Sequence, residues 1–258
     1  MKALVLAAGR GERLRPLTDT IPKPLLELGG RPLVHYALRM LKRGGVTEVA
    51  INLHHLGDRL AAALGDGGAL GLRITYAPEP ALLGTAGPLK GLAAFFGEEP
   101  FVVINSDTVM DLDLARMLDF HRSRGALATF ALRPVTSPAT YSEIEIAGDG
   151  RLCAMRLLVD RAHGRFEVYA APSAQPAHAA ASLMFCGVTI CEPAVLKLPL
   201  PAPPSSLMGD LFAPALRAGA PLFGLSYDGY FRTVDDRAAW DALQLEFAAT
   251  PPPLSYLG

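Results

Sequence analysis

Cysteine is scarce in this sequence: Cys153, Cys186 and Cys191 are all there is. An odd count without a C-x-x-C pair speaks against a disulfide framework or a zinc ribbon, and leaves reduced thiols as the expectation. A surplus of one charge sign is also missing. Lys and Arg number 24 against 25 Asp and Glu, a formal net charge of -1. That balance gives no electrostatic footprint for non-specific nucleic-acid binding. Long apolar runs are missing too, and none approaches the roughly 18 residues of a spanning helix. The apolar start ends at Gly9-Arg10-Gly11, too early for the core of a signal peptide. The expectation is a cytoplasmic protein with no membrane and no nucleic-acid partner. What is present is core material: half of the 258 residues are hydrophobic. That rules out a largely disordered chain and suits one large domain or two small ones.

Ala3 to Ala8 is a continuous apolar run closed by Gly9, the pattern of a strand buried on both faces. Leu33, Tyr36, Ala37, Met40 and Leu41 recur at helical spacing and stop at Gly44-Gly45. The stretches 46–53, 72–76, 101–105 and 126–133 read as strands. The stretches 58–64 and 112–124 read as helices, the latter with Asp111 or Asp113 as cap. Strands alternating with helices predict an α/β fold. Further on, Ile144-Glu145-Ile146 before Gly148-Asp149-Gly150 predicts a hairpin. Residues 170–181 and 199–204 read as loops, 182–191 and 221–226 as strands, and 208–218 and 237–248 as helices. Trp240 falls in that closing helix as core, and Pro251-Pro252-Pro253 ends it.

The stretch Leu6-Ala7-Ala8-Gly9-Arg10-Gly11-Glu12-Arg13 puts a glycine-rich turn after a buried strand, where bare backbone N–H groups can approach an anion. It is neither the dinucleotide fingerprint, since Leu14 stands where a third glycine belongs, nor a P-loop. Arg10, Arg13, Arg15 and Lys23 crowd four cations into the same stretch. Pro22 and Pro24 bracket Lys23 and are expected to hold the chain extended there. The choice is between phosphate binding and a basic surface turn. Asp107 closes an apolar strand, at the sheet edge where α/β proteins bind ligands. A carboxylate there can hold Mg²⁺ or cap a turn. Gly84-Thr85-Ala86-Gly87 is either a small-residue ligand wall or a simple turn. His54-His55 are adjacent and cannot share one face, so they read as loop histidines. His121, His163 and His178 have no partner at useful spacing.

The run 6–18 with Pro22-Lys23-Pro24 resembles the signature of sugar-1-phosphate nucleotidylyltransferases. The likeness continues through Gly30-Arg31-Pro32-Leu33, Leu83-Gly84-Thr85-Ala86-Gly87 and Asn105-Ser106-Asp107. The last two are most similar to mannose-1-phosphate guanylyltransferases. The compact length is similar to the bacterial N-acetylmuramate-1-phosphate uridylyltransferase and heptose-1-phosphate guanylyltransferase groups. The resemblance implies a Rossmann-like domain over 1–248, with a mixed, mainly parallel central sheet flanked by helices. Its nucleotide-binding part would run to about 135, its sugar-binding part over 136–248, with 249–258 a tail. It implies an NTP and a sugar 1-phosphate as substrates and Mg²⁺ as cofactor. Arg13 and Lys23 would act on the phosphates. Ala8, Gly9, Gly11, Glu79, Gly84 and Thr85 would line the nucleotide, Gly187 the sugar, and Asp107 would be the first metal ligand.

Two positions depart from that pattern. Where the resemblance places a second metal ligand, the sequence has Thr233, followed by Val234-Asp235-Asp236-Arg237. Asp235 is then the candidate to replace it. A sugar-binding Glu-Lys-Pro expected after Gly150 is absent, and Arg156-Leu157-Leu158-Val159 stands there. The leading function is nucleotidyl transfer to a sugar 1-phosphate. The alternatives are a catalytically weakened regulatory homologue that binds nucleotide sugars, and a cytidylyltransferase acting on a non-sugar phosphate.

Overall fold

A computed structural model describes residues 1–135, 142–160, 163–172 and 181–257. The chain forms two compact units, and neither is continuous in sequence. One comprises Met1–Leu82, Phe101–Ala115 and Gly229–Gly258, the other Leu83–Pro100 and Arg116–Asp228.

The first unit is built on four parallel strands in the order Phe101–Asn105, Lys2–Leu6, Glu48–Leu53, Arg73–Pro78. Ala3, Leu4 and Val5 are fully buried, because strands lie on both sides and helices cover the faces. The helix Leu33–Arg43 buries Leu33, Val34, Tyr36, Ala37, Leu38, Met40 and Leu41, and ends at Gly44. Only residues outside this apolar stripe reach solvent, as the spacing requires. Gly57–Leu64 is the helix before the strand Arg73–Pro78. The chain leaves Lys2–Leu6 toward one side of the sheet and returns to its other side at Phe101–Asn105. The order therefore reverses between Leu6 and Asn105, and the crevice beyond their carboxyl ends is where such sheets bind ligands.

The third stretch of this unit is tied in twice. Phe231–Thr233 pairs antiparallel with Thr108–Met110, with Thr233 opposite Thr108. The closing helix Arg237–Ala249 puts Trp240, Leu243 and Phe247 into one apolar cluster with Leu14, Leu28, Leu33 and Tyr36. Tyr36 meets Phe247 edge-on at 5.7 Å and donates its hydroxyl to the Leu28 carbonyl at 2.7 Å. Trp240 is core, as expected.

The second unit carries strands in the order Arg165–Ala170, Leu152–Asp160, Glu143–Ile146, Ala181–Cys191, Ala128–Pro134, Leu222–Ser226. All pairs are antiparallel except the last. The expected hairpin is there, with Gly150 donating to Ala147 at 2.9 Å in its turn. The fold class is the α/β arrangement read from the sequence: a mixed sheet with flanking helices.

Several local readings are corrected. Lys23 is not held extended. Pro22 is, but Lys23–Leu25 forms a 3-10 turn with Pro24 inside it. Leu26 donates to Lys23 and Leu25 to Pro22, and these bonds outweigh the bias that Pro24 puts on Lys23. The helix read over 208–218 begins as a wide turn, Leu207–Phe212, and becomes α-helical only at Ala213–Arg217. Arg165–Ala170 was not read as a strand at all. Its polar–apolar alternation is confined to Arg165-Phe166-Glu167-Val168, and as an edge strand it has no buried residue. Residues 173–180 of the loop read over 170–181, and His178 with them, lie outside the described residues.

Candidate functional site

A cavity of about 580 Å³ opens in the first unit, at the carboxyl edge of its sheet. Its floor comes from Leu6, Ala7, Ser106 and Asp107 at the ends of two neighbouring strands. Its rim is the loop Gly9 to Leu14, with Lys23 and Pro24 beside it, Leu82 at one edge and Asp235 at another. The structure thus brings together Gly9, Gly11, Arg13, Lys23, Asp107 and Asp235, six of the residues singled out from the sequence. Ala8 is buried beside the cavity and does not line it.

The loop's shape follows from Gly11. Its φ of +63° lies in the left-handed region, and a Cβ there would meet Thr18 Cγ2 at 2.9 Å. Thr18 is buried and donates its hydroxyl to the Gly11 carbonyl at 2.8 Å, which pins the turn. At Gly9 a Cβ would meet nothing within 4 Å, so its bareness has no packing reason and leaves the cavity wall open.

Lys23 Nζ donates to Asp107 Oδ2, and the two side chains are 13% and 24% exposed. The other carboxylate oxygen, Asp107 Oδ1, is buried without a hydrogen-bond partner. A buried carboxylate oxygen left in that state is costly unless something else uses it. Across the cavity Arg13 stands 3.7 Å from Asp235. Arg10 stands 4.0 Å from Glu12. Arg15 does not belong to the set: it lies outside the lining and pairs with Asp19 at 3.2 Å.

Val234 donates its amide to the Asp107 carbonyl, which carries Asp235 into the cavity, whereas Thr233 does not line it. Among the described residues no group of three or more His, Cys, Asp or Glu could hold a metal ion. The side-chain oxygens lining the cavity are the Ser106 hydroxyl and the carboxylates of Glu12, Asp107 and Asp235, of which Glu12 faces Arg10.

The remaining predicted residues are not among those lining this cavity. Glu79 is buried and accepts from Asn52 Nδ2 at 2.8 Å. Gly84, Thr85 and Gly187 belong to the second unit. At Gly84 a Cβ would come within 2.3 Å of the Ser205 carbonyl oxygen, so this glycine permits a close approach of two backbones. Thr85 Oγ1 accepts from the Leu207 amide at 2.8 Å. Gly187, at φ +78°, sits where the register of Ala181–Cys191 against Ala128–Pro134 shifts.

Sequence reasoning missed the roles of several histidines. His54 Nδ1 bonds the Glu79 carbonyl and His55 Nε2 the Thr18 carbonyl, each at 2.8 Å. His163 pairs with Asp160 at 2.8 Å on an exposed turn. His121 is fully buried, with Nδ1 2.9 Å from Thr129 Oγ1 and Nε2 3.2 Å from Glu192 Oε1. Burial holds its pKa below the ordinary value of 6.5, with Glu192 pulling the other way. Spacing of 8 and 71 residues carried no local signal for this cluster. The three thiols are free; burial pushes Cys186 up to about 12 and raises Cys153 and Cys191, so none is a ready nucleophile. No helix among the described residues is long and apolar enough to cross a membrane.

This chain is 53% identical over 114 residues to N-acetylmuramate alpha-1-phosphate uridylyltransferase of Neisseria meningitidis serogroup B, covering 44% of this chain and 49% of that protein. It is 31% identical over 237 residues to the mannose-1-phosphate guanyltransferase of Debaryomyces hansenii, covering 91% and 61%. A UTP–glucose-1-phosphate uridylyltransferase of Synechocystis is 29% identical over 248 residues, covering 91% and 60%. The chain therefore spans about half to three fifths of the length of these relatives. Among solved structures, HddC from Yersinia pseudotuberculosis matches with a TM-score of 0.74 at 20% identity, over 95% of this chain and 99% of that one. A UDP-glucose pyrophosphorylase complexed with UDP-glucose matches at 0.70 and 18%, over 96% and 98%. At these identities the structures show a shared fold. The family model described as nucleotidyl transferase matches residues 2–156, and with the glycine loop, Lys23 and Asp107 all inside that span, the chain belongs to the nucleotidyl transferase family.

Proposed function

We propose that the protein transfers a nucleotidyl group from a nucleoside triphosphate to a sugar 1-phosphate, giving an NDP-sugar and pyrophosphate. The observation that carries the reading is Asp107, with one carboxylate oxygen on Lys23 and the other buried and unpartnered beside a glycine loop. That oxygen, with Asp235 in the same cavity, suits a hard divalent cation that takes few protein ligands and completes its shell from phosphates and water. We assign the site to Mg²⁺, which when bound would neutralise phosphate charge. The three relatives described above, all named as enzymes of sugar 1-phosphates, support the same substrate class.

The acceptor is already an anion, so no side chain has to remove a proton from it. Its phosphate oxygen forms the new bond to the α-phosphorus. The bond from that phosphorus to the bridging oxygen breaks, and pyrophosphate leaves with the electron pair. The obstacle is repulsion between anions, and fixed positive charge lowers it most. Lys23, held by Asp107, keeps further N–H bonds for phosphate oxygens. Arg13 offers a planar fork to the leaving group. The backbone of the Gly9–Gly11 turn binds phosphate without adding side-chain bulk. Nucleoside triphosphates and reduced thiols both suit a cytoplasmic location.

The test is pyrophosphate release with Mg²⁺ over a grid of four NTPs and a panel of sugar 1-phosphates, with phosphocholine as the non-sugar acceptor. Release with one NTP and one sugar phosphate is the expected result. Release with phosphocholine alone reassigns the acceptor. Tight NTP binding without release in any pairing refutes transfer.

A further inference from the structure

Two loops that leave the first unit's sheet are fastened by one side chain between them. The ladder between Lys2–Leu6 and Glu48–Leu53 runs in register to Val5 opposite Ile51. The next ladder continues to Leu53 opposite Pro78, and Glu79 then donates its amide to the Leu53 carbonyl at 2.7 Å. After Leu6 the first strand peels away into the glycine loop. There the Ala7 amide donates to Asn52 Oδ1 at 2.7 Å, and Asn52 Nδ2 donates to Glu79 Oε1 at 2.8 Å. Asn52 is 2% exposed and Glu79 5%.

The chemistry of the two neighbours demands an amide. Ala7 presents a donor and Glu79 an acceptor, and among side chains of this length only asparagine meets both. Aspartate would satisfy Ala7 and face Glu79 with like charge. Leucine would leave the Ala7 amide without its acceptor and remove the Asn52 donor from buried Glu79. The next residues add to the grip: His54 bonds the Glu79 carbonyl, and His55 bonds the carbonyl of Thr18, whose hydroxyl holds Gly11.

We infer that Asn52 is a positioning residue for nucleotide binding. It does not line the cavity. It fixes the point where the glycine loop departs from the sheet, and so sets where the amides of Gly9 to Gly11 stand before a triphosphate arrives. The inference rests on reading the cavity as the triphosphate site.

The experiment measures Kd for the tightest-binding of UTP, GTP, CTP and dTTP, with KM and kcat alongside, in four variants. Asn52→Leu should raise Kd and KM at least about tenfold, the equivalent of 1.4 kcal/mol, with kcat within about threefold. Asn52→Asp should do the same or worse, and adding Glu79→Gln to it should recover part of the loss by reversing the donor and acceptor. Val49→Ala, a core truncation in the same strand, should lower Tm without moving Kd. An unchanged Kd in Asn52→Leu, or an equal rise in Val49→Ala, overturns the inference. A double variant no tighter than Asn52→Asp overturns the coupling through Glu79. If wild type binds a triphosphate but releases no pyrophosphate, the transfer reaction falls, while a weakened Kd in Asn52→Leu still upholds positioning.

Discussion

The Val234 amide donates to the Asp107 carbonyl at 3.1 Å. One residue earlier, Thr233 is locked opposite Thr108 in a strand pair. One residue later, Asp235 leaves the strand and lines the cavity with Asp107. The second carboxylate is thus delivered by the step out of the strand. Asp235→Ala should raise the Mg²⁺ concentration for half-maximal activity at least about tenfold, the scale seen when partners of metal ligands are lost. A Mg²⁺ titration decides it: no change in Asp235→Ala with a rise in Thr233→Ala would move the role to residue 233.

Lys23 is less exposed than a free cleft lysine, because Asp107 holds it. Lys23→Met should lower turnover about 10²-fold or more, as for a lost preorganised donor. It should also cost about 1–3 kcal/mol of stability by leaving the Asp107 carboxylate without its cation. Steady-state kinetics and urea titration separate the two effects.

Arg13 keeps its charge but loses its fork in Arg13→Lys. The expected loss in kcat/KM for the triphosphate is about tenfold, equal to one charge-assisted hydrogen bond of roughly 1.5 kcal/mol. Equal kcat/KM in the two proteins would remove Arg13 from the leaving group's grip.

Gly11→Ala tests the turn itself. A left-handed non-glycine residue costs roughly 1–2 kcal/mol, and the new Cβ would press on Thr18 Cγ2. Triphosphate binding by calorimetry should weaken, while a Gly9→Ala control, with open space at its Cβ, keeps the fold's Tm near wild type.

His121 gives the protein an acid limit. Its folded pKa lies below 6.5, so the unfolded chain binds the proton more readily. Stability from this group is full above the unfolded pKa and is lost progressively as pH falls from there through the lower folded pKa. Tm measured from pH 8 to 5 should fall below about pH 6.5, and the fall should be shallower in His121→Gln.

The regular elements of the first half were legible because they bury continuous or periodic apolar runs. Phe101–Asn105 and Leu33–Arg43 are where the pattern put them. The glycine loop was legible from composition, Lys23 from its place among cations and prolines, and Asp107 from its place at the end of an apolar strand. What lay hidden depends on residues far apart in sequence. The Lys23 turn is fixed by backbone bonds that override proline bias, the His121 cluster joins positions 71 residues apart, and Asn52 acts where two strands splay.

The apolar cluster under the glycine loop joins Leu14 and Leu28 to Trp240, Phe247 and Leu254. A ribosome makes the chain from its amino end, so Trp240, Phe247 and Leu254 are synthesised long after the loop they support. Until residues 229 to 254 emerge, Leu14, Leu28, Leu33 and Tyr36 lack these apolar partners, and Asp235 has not yet been translated. The apolar support and the second carboxylate therefore arrive together, and a chain released before residue 235 lacks both at once.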